Sequence, residues 1–259
     1  MRGWTAALKA ALLTACGEWH YGRWLRWRHF TRLVPHLPCD LEAADILDAG
    51  CGEGTAALWL AARYPGCRVT GIDVDAADIA SCRREAAARE LPNVHFEVGR
   101  IENLRDHQRY HFAYTIAVLE YIDRDGEAVA RLKQALRPGG VLLIEVRDRG
   151  IGVSPTFGLR RLAADHDHND EAGYARRGYT LAALHRLLES NGLRVQGARH
   201  AIAPPAAFAH TIFERLRARR LRWYFVLLPA LRAVGYTDFV WRWRRGGSLV
   251  HLHNKEWDG

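Results

Sequence analysis

With 259 residues, a net charge of +8 and five cysteines, the chain can bury one large core and suits one elaborated domain better than two. The cysteines, at 16, 39, 51, 67 and 82, are odd in number and form no C-x-x-C, so neither a disulfide framework nor a zinc site is indicated and the cytoplasm is the simplest location. The basic excess is almost all arginine, with lysine only at 9, 133 and 255, so it permits a nucleic acid or an anionic surface as partner without demanding either.

Residues 1–40 precede the first strand signal. Trp4 to Cys16 is alanine- and leucine-rich, but Lys9 interrupts it and no convincing cleavage site follows, so it reads as a helix rather than a signal peptide. Glu18 to Phe30 is dense in aromatics and arginines, as in a helix packed on a domain with its arginines reaching outward. Pro35 and Pro38 mark the join to the core. Asp45 to Asp48 is a short buried strand running into Gly50-Cys51-Gly52-Glu53-Gly54 and a helix from Thr55, a possible cap, to Arg63. Glycine at every second place permits positive φ and lets a ligand approach the backbone, while the helix amides face it. The third glycine comes one residue too early for G-x-G-x-x-G, and no lysine supplies a P-loop.

Arg68 to Asp75 is a second strand ending in acid. Asp73 lies at the distance from the glycine turn where a carboxylate can accept from both ribose hydroxyls, with Asp75 in reserve or as a helix N-cap. Ala76 to Glu90 is helical, Val94 to Val98 a third strand, and Tyr110 to Val118 a fourth. A helix over Glu127 to Leu136, a turn at Arg137-Pro138-Gly139-Gly140 and a strand over Val141 to Val146 follow. Thr180 caps an amphipathic helix, Leu181 to Ser190, closed by Asn191-Gly192. Leu193 to Ile202 and Gly247 to His253 read as two further strands. Between them, Trp223 to Pro229 and Leu231 to Trp243 are apolar but far short of the roughly 20 residues that span a bilayer; they pack on the domain, shape a pocket or lie on a membrane.

The acidic strand end, G-C-G-E-G, the G-I-D of Gly71 to Asp73, and L-R-P-G-G before an apolar strand, taken in order over residues 45–146, resemble the class I S-adenosylmethionine-dependent methyltransferases of small-molecule type. The resemblance implies an α/β fold: a Rossmann-like, seven-stranded, mostly parallel sheet with helices on both faces, the last strand antiparallel, and an N-terminal helical lid. It implies a single methyltransferase domain divided into a lid (1–40), a cofactor-binding core (41–146), a substrate-facing insertion (147–179), a helix and strand (180–203), a helical insertion (204–246) and a last strand and tail (247–259). Its cofactor would be S-adenosylmethionine, held by Asp48 toward the methionine ammonium, Gly50, Cys51, Gly52 and Gly54 in the turn, Asp73 and Val74 at the ribose, Arg100, Ile101 and Glu102 near the adenine, and Ala117 and Val118 beside the methionine. Arg100 stands where the family has an acceptor, and a guanidinium only donates, so Glu102 takes that role or Arg100 points to solvent.

In the lid, Tyr21 and Arg28 are candidates for the methionine carboxylate. Tyr121, Arg147 and Tyr174 are candidates to line the acceptor site. His166 or His168, in Asp165-His166-Asp167-His168-Asn169-Asp170, could remove a proton from the acceptor, or the loop is a solvated surface. No metal is assigned. The acceptor implied is a small molecule accepting the methyl group on oxygen or nitrogen. A lipid-linked or saccharide acceptor is the alternative, together with peripheral membrane contact through 204–243. A nucleic-acid substrate is disfavoured, because Ala117-Val118-Leu119-Glu120 stands where enzymes that extrude a base carry Asn/Asp-Pro-Pro-aromatic. A non-catalytic binding protein would keep the turn and lack transfer.

Overall fold

The computed structural model describes residues 21–147, 175, 178–200, 206, 208–210, 212, 213, 216, 224–236 and 248–254. The helix expected over Trp4 to Cys16, and His166, His168 and Tyr174, lie outside them.

The fold is α/β with a mostly parallel sheet. Strands β1 (Asp45–Ala49), β2 (Arg68–Asp73), β3 (Val94–Val98), β4 (Tyr110–Ile116), β5 (Leu136–Arg147), β6 (Arg194–His200) and β7 (Ser248–Asn254) are ordered β3-β2-β1-β4-β5-β7-β6. The β1–β2, β2–β3, β1–β4 and β4–β5 pairs are parallel, and β7 runs antiparallel to β5 and β6. Strands with both faces covered are apolar on both, as Ile46, Leu47 and Ala49 and Val141 to Ile144 are, and the acids among them, Asp48 and Glu145, are buried with their neighbours.

Helices α1 (Tyr21–Leu33), α2 (Thr55–Arg63), α3 (Ala76–Ala88) and α6 (Tyr224–Tyr236) bury one set of side chains with Ile46, Phe112, Tyr114 and Leu143. On the other face, α4 (Asp125–Ala135) and α5 (Leu181–Ser190) pack on Leu47, Ala113, Leu142 and Ile144. Successive residues along a strand point to opposite faces, and β1, β4 and β5 bury side chains among the helices of both layers. Strand order reverses between β1 and β4, which places a crevice at their carboxyl ends, where ligands of such sheets bind.

Three local expectations change. Thr55 is the first helical residue of α2 rather than its cap: Gly54, at φ +70°, is the N-cap and supplies no side chain. The Arg137 to Gly140 turn is absorbed into β5 as an irregularity, with the register shifting between Tyr110 and Phe112. Gly139 sits at φ +74°, and a Cβ on Gly140 would lie 2.8 Å from the Arg137 carbonyl, so the tight turn fits inside the ladder. Helix α6 runs through Pro229 rather than breaking there; proline removes one N–H from the helix, and at an exposed position water can serve the carbonyl left over.

Asp75 caps α3 by accepting from the amides of Ala77 (2.7 Å) and Asp78 (3.2 Å). Asp75→Ala is expected to cost about 1 kcal/mol, and thermal unfolding should show a Tm lower by roughly 2–4 °C.

Candidate functional site

Between β1 and α2 the backbone turns back on itself with Gly50, Gly52 and Gly54 all at positive φ (+83°, +49° and +70°). The amides of Gly50 and Cys51 both donate to the Ile72 carbonyl, at 2.8 and 2.9 Å, and Gly54 N–H closes on the Cys51 carbonyl at 2.8 Å. Asp73, at the end of β2, accepts from Gly52 N–H through Oδ2 (2.7 Å) and from Asp75 N–H through Oδ1 (3.0 Å). One carboxylate thus pins the glycine turn to the β2–α3 junction.

The glycines serve different ends. A Cβ on Gly50 would overlap the Val118 side chain, and one on Gly54 would sit 2.7 Å from Cys82 Sγ, so these two allow close packing. A Cβ on Gly52 or Gly99 would meet nothing within 4 Å: at the ends of β1 and β3 the backbone borders open ground, as a ligand cradle requires. Gly50→Ala should therefore lower Tm strongly, by overlap as well as backbone strain. Gly52→Ala should cost only about the 1–2 kcal/mol of left-handed backbone, yet weaken a ligand seated there. Paired thermal melts and ligand titrations check the contrast.

Around this ground stand the other strand ends. Val74 is 60% exposed, an apolar side chain left in water beside Asp73. Ile101 is buried in a short 3-10 turn, and buried Glu102 accepts from Arg100 at 3.2 Å, with the Arg100 side chain lying mostly in solvent. After β4, Ala117 takes φ +54° and donates to the Glu145 carbonyl at 2.8 Å, which turns Val118 onto Gly50. Tyr121 follows, 42% exposed. Arg147, at the end of β5, donates its amide to Glu120 Oε1 and accepts from Tyr179 N–H at 2.9 Å.

The lid candidates fall elsewhere. Tyr21 is fully buried and donates to the Leu231 carbonyl at 2.9 Å. Arg28 donates to the Gly235 carbonyl and lies over the Trp24 and Tyr236 rings. Both hold α6 on α1, and that packing role replaces their assignment to the methionine carboxylate. Another stripe of α1 faces the site: Arg23 donates to Glu53 of the glycine turn at 2.6 Å, and Phe30 lies against Tyr114, 4.9 Å between ring centres.

The "Methyltransferase domain" family matches residues 46–140, the span that carries the turn, Asp73 and the β4 loop. The trans-aconitate 2-methyltransferase of Deinococcus radiodurans is 32% identical over 230 residues, covering 86% of this chain and 74% of that protein. The chain belongs to the class I S-adenosylmethionine-dependent methyltransferases. The trans-aconitate 2-methyltransferase of Variovorax paradoxus is also 32% identical, covering 79% of this chain and 78% of its own length. Among solved structures, geranyl diphosphate methyltransferase in complex with S-adenosylmethionine matches with a TM-score of 0.61 at 16% identity, over 92% of this chain and 91% of that one. The putative sarcosine dimethylglycine methyltransferase of Galdieria sulphuraria gives 0.59 at 15%, over 90% and 86%. At those identities the structures speak for the fold.

This methyltransferase uses S-adenosylmethionine, and its buried acids show where charge is managed. Asp48 lies under the turn, with the Ala57 amide and the Tyr114 hydroxyl beside it; burial, reinforced by the Asp73 charge, pushes its carboxyl up to about 7. Burial likewise raises Glu145, on β5, to about 7, and raises Glu120. One oxygen of each of these glutamates has no hydrogen-bond partner among the described residues; the charge of Arg26 opposes the rise at Glu145, and the charges of Arg147 and Arg26 oppose it at Glu120. The thiols of Cys51 and Cys82 are both pushed up by burial, Cys82 to about 11, so they stay protonated and act as packing.

The sequence reading passed over Arg23, Arg26, Tyr114 and Glu145. The signal for the arginines was helical spacing: 23, 26 and 30 share one face of α1, and 21, 24 and 28 another. Among the described residues, no group of histidines, cysteines and carboxylates is placed to hold a metal ion.

Proposed function

We propose that this enzyme moves the methyl group of S-adenosylmethionine to an oxygen or nitrogen of a small-molecule acceptor. The observation that carries the reading is the open ground over Gly52 and Gly99, bounded by Asp73 and an exposed Val74. Such a cradle fits an adenosyl group: a carboxylate for the ribose diol, an apolar flank for the purine, and glycines where the ligand meets backbone. Bound there, the cofactor supplies a methyl group already activated by its sulfonium.

The protein's own work is then alignment and exclusion of water. Asp73 and the Gly50–Gly54 turn hold the nucleoside end, with Val74 against the purine and Ile101 and Glu102 at its edge. Asp48 sits under the methionine end as a counter-charge to its ammonium. Ala117 and Val118 wall the thioether side, and Tyr121 and Arg147, at the ends of β4 and β5, border the acceptor, joined by Tyr174. Holding two reactants in register can supply roughly 7–11 kcal/mol of a barrier. A base at His166 or His168 takes the acceptor's proton and contributes less, about 10²–10⁴-fold. We assign the whole chain to one cytoplasmic methyltransferase domain on this reading.

The relatives' name supports trans-aconitate as the first acceptor to test. Incubation of the protein with S-adenosylmethionine and trans-aconitate, followed by mass spectrometry of both products, should show S-adenosylhomocysteine and a methylated acid in equal amounts. A panel of amines and alcohols extends the test if trans-aconitate is inert. Turnover of none of them would remove the small-molecule reading. His166→Ala with His168→Ala should lower kcat by tenfold or more while leaving cofactor affinity unchanged.

A further inference from the structure

At Glu120 and Glu145 the fold leaves hydrogen bonding unfinished. Glu145 alternates along β5 with Ile144 and Val146, which pack toward α4 and α5, so its side chain lies on the other side of the sheet, with Leu143 and α1. Its register partner on β4 is Ile116, two residues beyond the Tyr114 that stands beside Asp48. Glu145 therefore shares the Asp48 side of the sheet, nearer the carboxyl ends of the strands. Glu120 lies in the short turn after β4, directly before Tyr121, and its Oε1 accepts from the Arg147 amide. Glu120 is 2% exposed and Glu145 4%, yet Oε2 of Glu120 and Oε1 of Glu145 have no hydrogen-bond partner among the described residues. The charge of Arg26 reaches both carboxyls and that of Arg147 reaches Glu120, but neither guanidinium bonds to an orphaned oxygen.

A buried polar atom without a partner costs free energy that an apolar side chain would avoid, and a fold that keeps two of them side by side keeps them for a ligand. Their place names the ligand's end: Glu120 adjoins Tyr121 and Glu145 precedes Arg147 by two residues, the pair that borders the acceptor. Two carboxylate oxygens call for two donors. An amino group supplies them from one nitrogen, a hydroxyl supplies one, and a carboxylate supplies none. Trans-aconitate, a polycarboxylate, would set carboxylate against carboxylate and leave both oxygens unsatisfied. We propose that the orphaned oxygens of Glu120 and Glu145 form the acceptor's specificity site and take an amino group, so that the acceptor is an amine. This site rests on the small-molecule reading of the activity and narrows it to one acceptor class.

The test is methyl transfer from S-adenosylmethionine at pH 8, above the value to which burial raises Glu145. The panel matches each primary amine with the alcohol and the carboxylic acid of the same carbon skeleton, and includes trans-aconitate among the acids. The expected result is a kcat/KM for amines about tenfold or more above that of their matched alcohols and acids. Glu120→Gln and Glu145→Gln keep the side-chain shape but offer an NH₂ where the amine needs an acceptor. Each should raise KM for the amine by about tenfold and narrow its lead over the alcohol, while calorimetry shows S-adenosylhomocysteine bound as in wild type. Glutamates that serve packing alone would leave that lead unchanged in the variants. Preferred turnover of an acid or alcohol, or an amine lead that survives both substitutions, would overturn the specificity site and leave the small-molecule reading standing. Turnover of nothing in the panel would remove both.

Discussion

Asp73→Ala is expected to weaken S-adenosylmethionine binding by at least tenfold in calorimetry, equivalent to about 1.4 kcal/mol or more. Two losses combine. The ribose diol loses a carboxylate acceptor, and Gly52 N–H loses its 2.7 Å bond, which leaves the glycine turn fastened to β2 only through the Ile72 carbonyl. Each oxygen of Asp73 already accepts one amide, and each has a second lone pair for a hydroxyl. Asp73→Asn keeps one accepting oxygen but places an NH₂ group opposite a donor, so its affinity should fall between wild type and alanine. A Tm loss of roughly 2–4 °C per kcal/mol should accompany the alanine variant, because the amides of Gly52 and Asp75 lose their acceptor. Unchanged affinity in the alanine variant would remove the ribose assignment.

The cofactor-free protein should be more stable near pH 5 than near pH 8, and Glu145→Gln should remove a large part of that difference. Glu145 is almost fully buried, and burial raises its carboxyl from the ordinary 4.5 to about 7. The unfolded chain ionises it near 4.5 and the folded chain near 7. Between those values the native state holds a proton that the unfolded state has lost. The stability this contributes is complete below about pH 4.5 and is lost as pH rises through 7.

A shift of that size corresponds to about 3 kcal/mol. Asp48, raised from 3.8 to about 7, acts in the same direction, and Glu120 adds to it. Asp45 is held below its ordinary value by the hydrogen bond from Arg68; its contribution has the opposite sign and is lost only in stronger acid, outside this window. Glutamine carries no charge to bury, so at pH 8 the variant should melt several degrees above wild type and at pH 5 alongside it. Parallel melting profiles for the two proteins would show that Glu145 is not the group responsible.

Much of the site was legible because its chemistry is local. The glycine turn, Asp73 and the positions of the strands along the chain depend on residues close in sequence, and periodicity with turn chemistry locates them to within a residue or two. What was missed is long-range. Whether an aromatic and arginine helix covers a ligand or a neighbouring helix depends on partners 200 residues away, and Tyr21 and Arg28 find theirs at Leu231 and Gly235. Glu145 lies in an apolar run where nothing local says that its carboxylate is buried beside Glu120, since that depends on strand pairing and on α1 closing over it. The Arg137 to Gly140 turn was recognised as a turn, but its place inside β5 follows from the register with Tyr110, which no local pattern encodes. Arg100 is the reverse case: its mismatch with an acceptor role was visible from donor chemistry alone, and the structure turns it into solvent against Glu102.

Diffraction from crystals grown with S-adenosylhomocysteine tests the central claim most directly. The account predicts the nucleoside between the Gly50 to Gly54 turn and Asp73, with the purine against Val74 and the sulfur turned toward Tyr121 and the end of β5. Density for the nucleoside anywhere else on the chain, with the ground over Gly52 and Gly99 left to water, would contradict it.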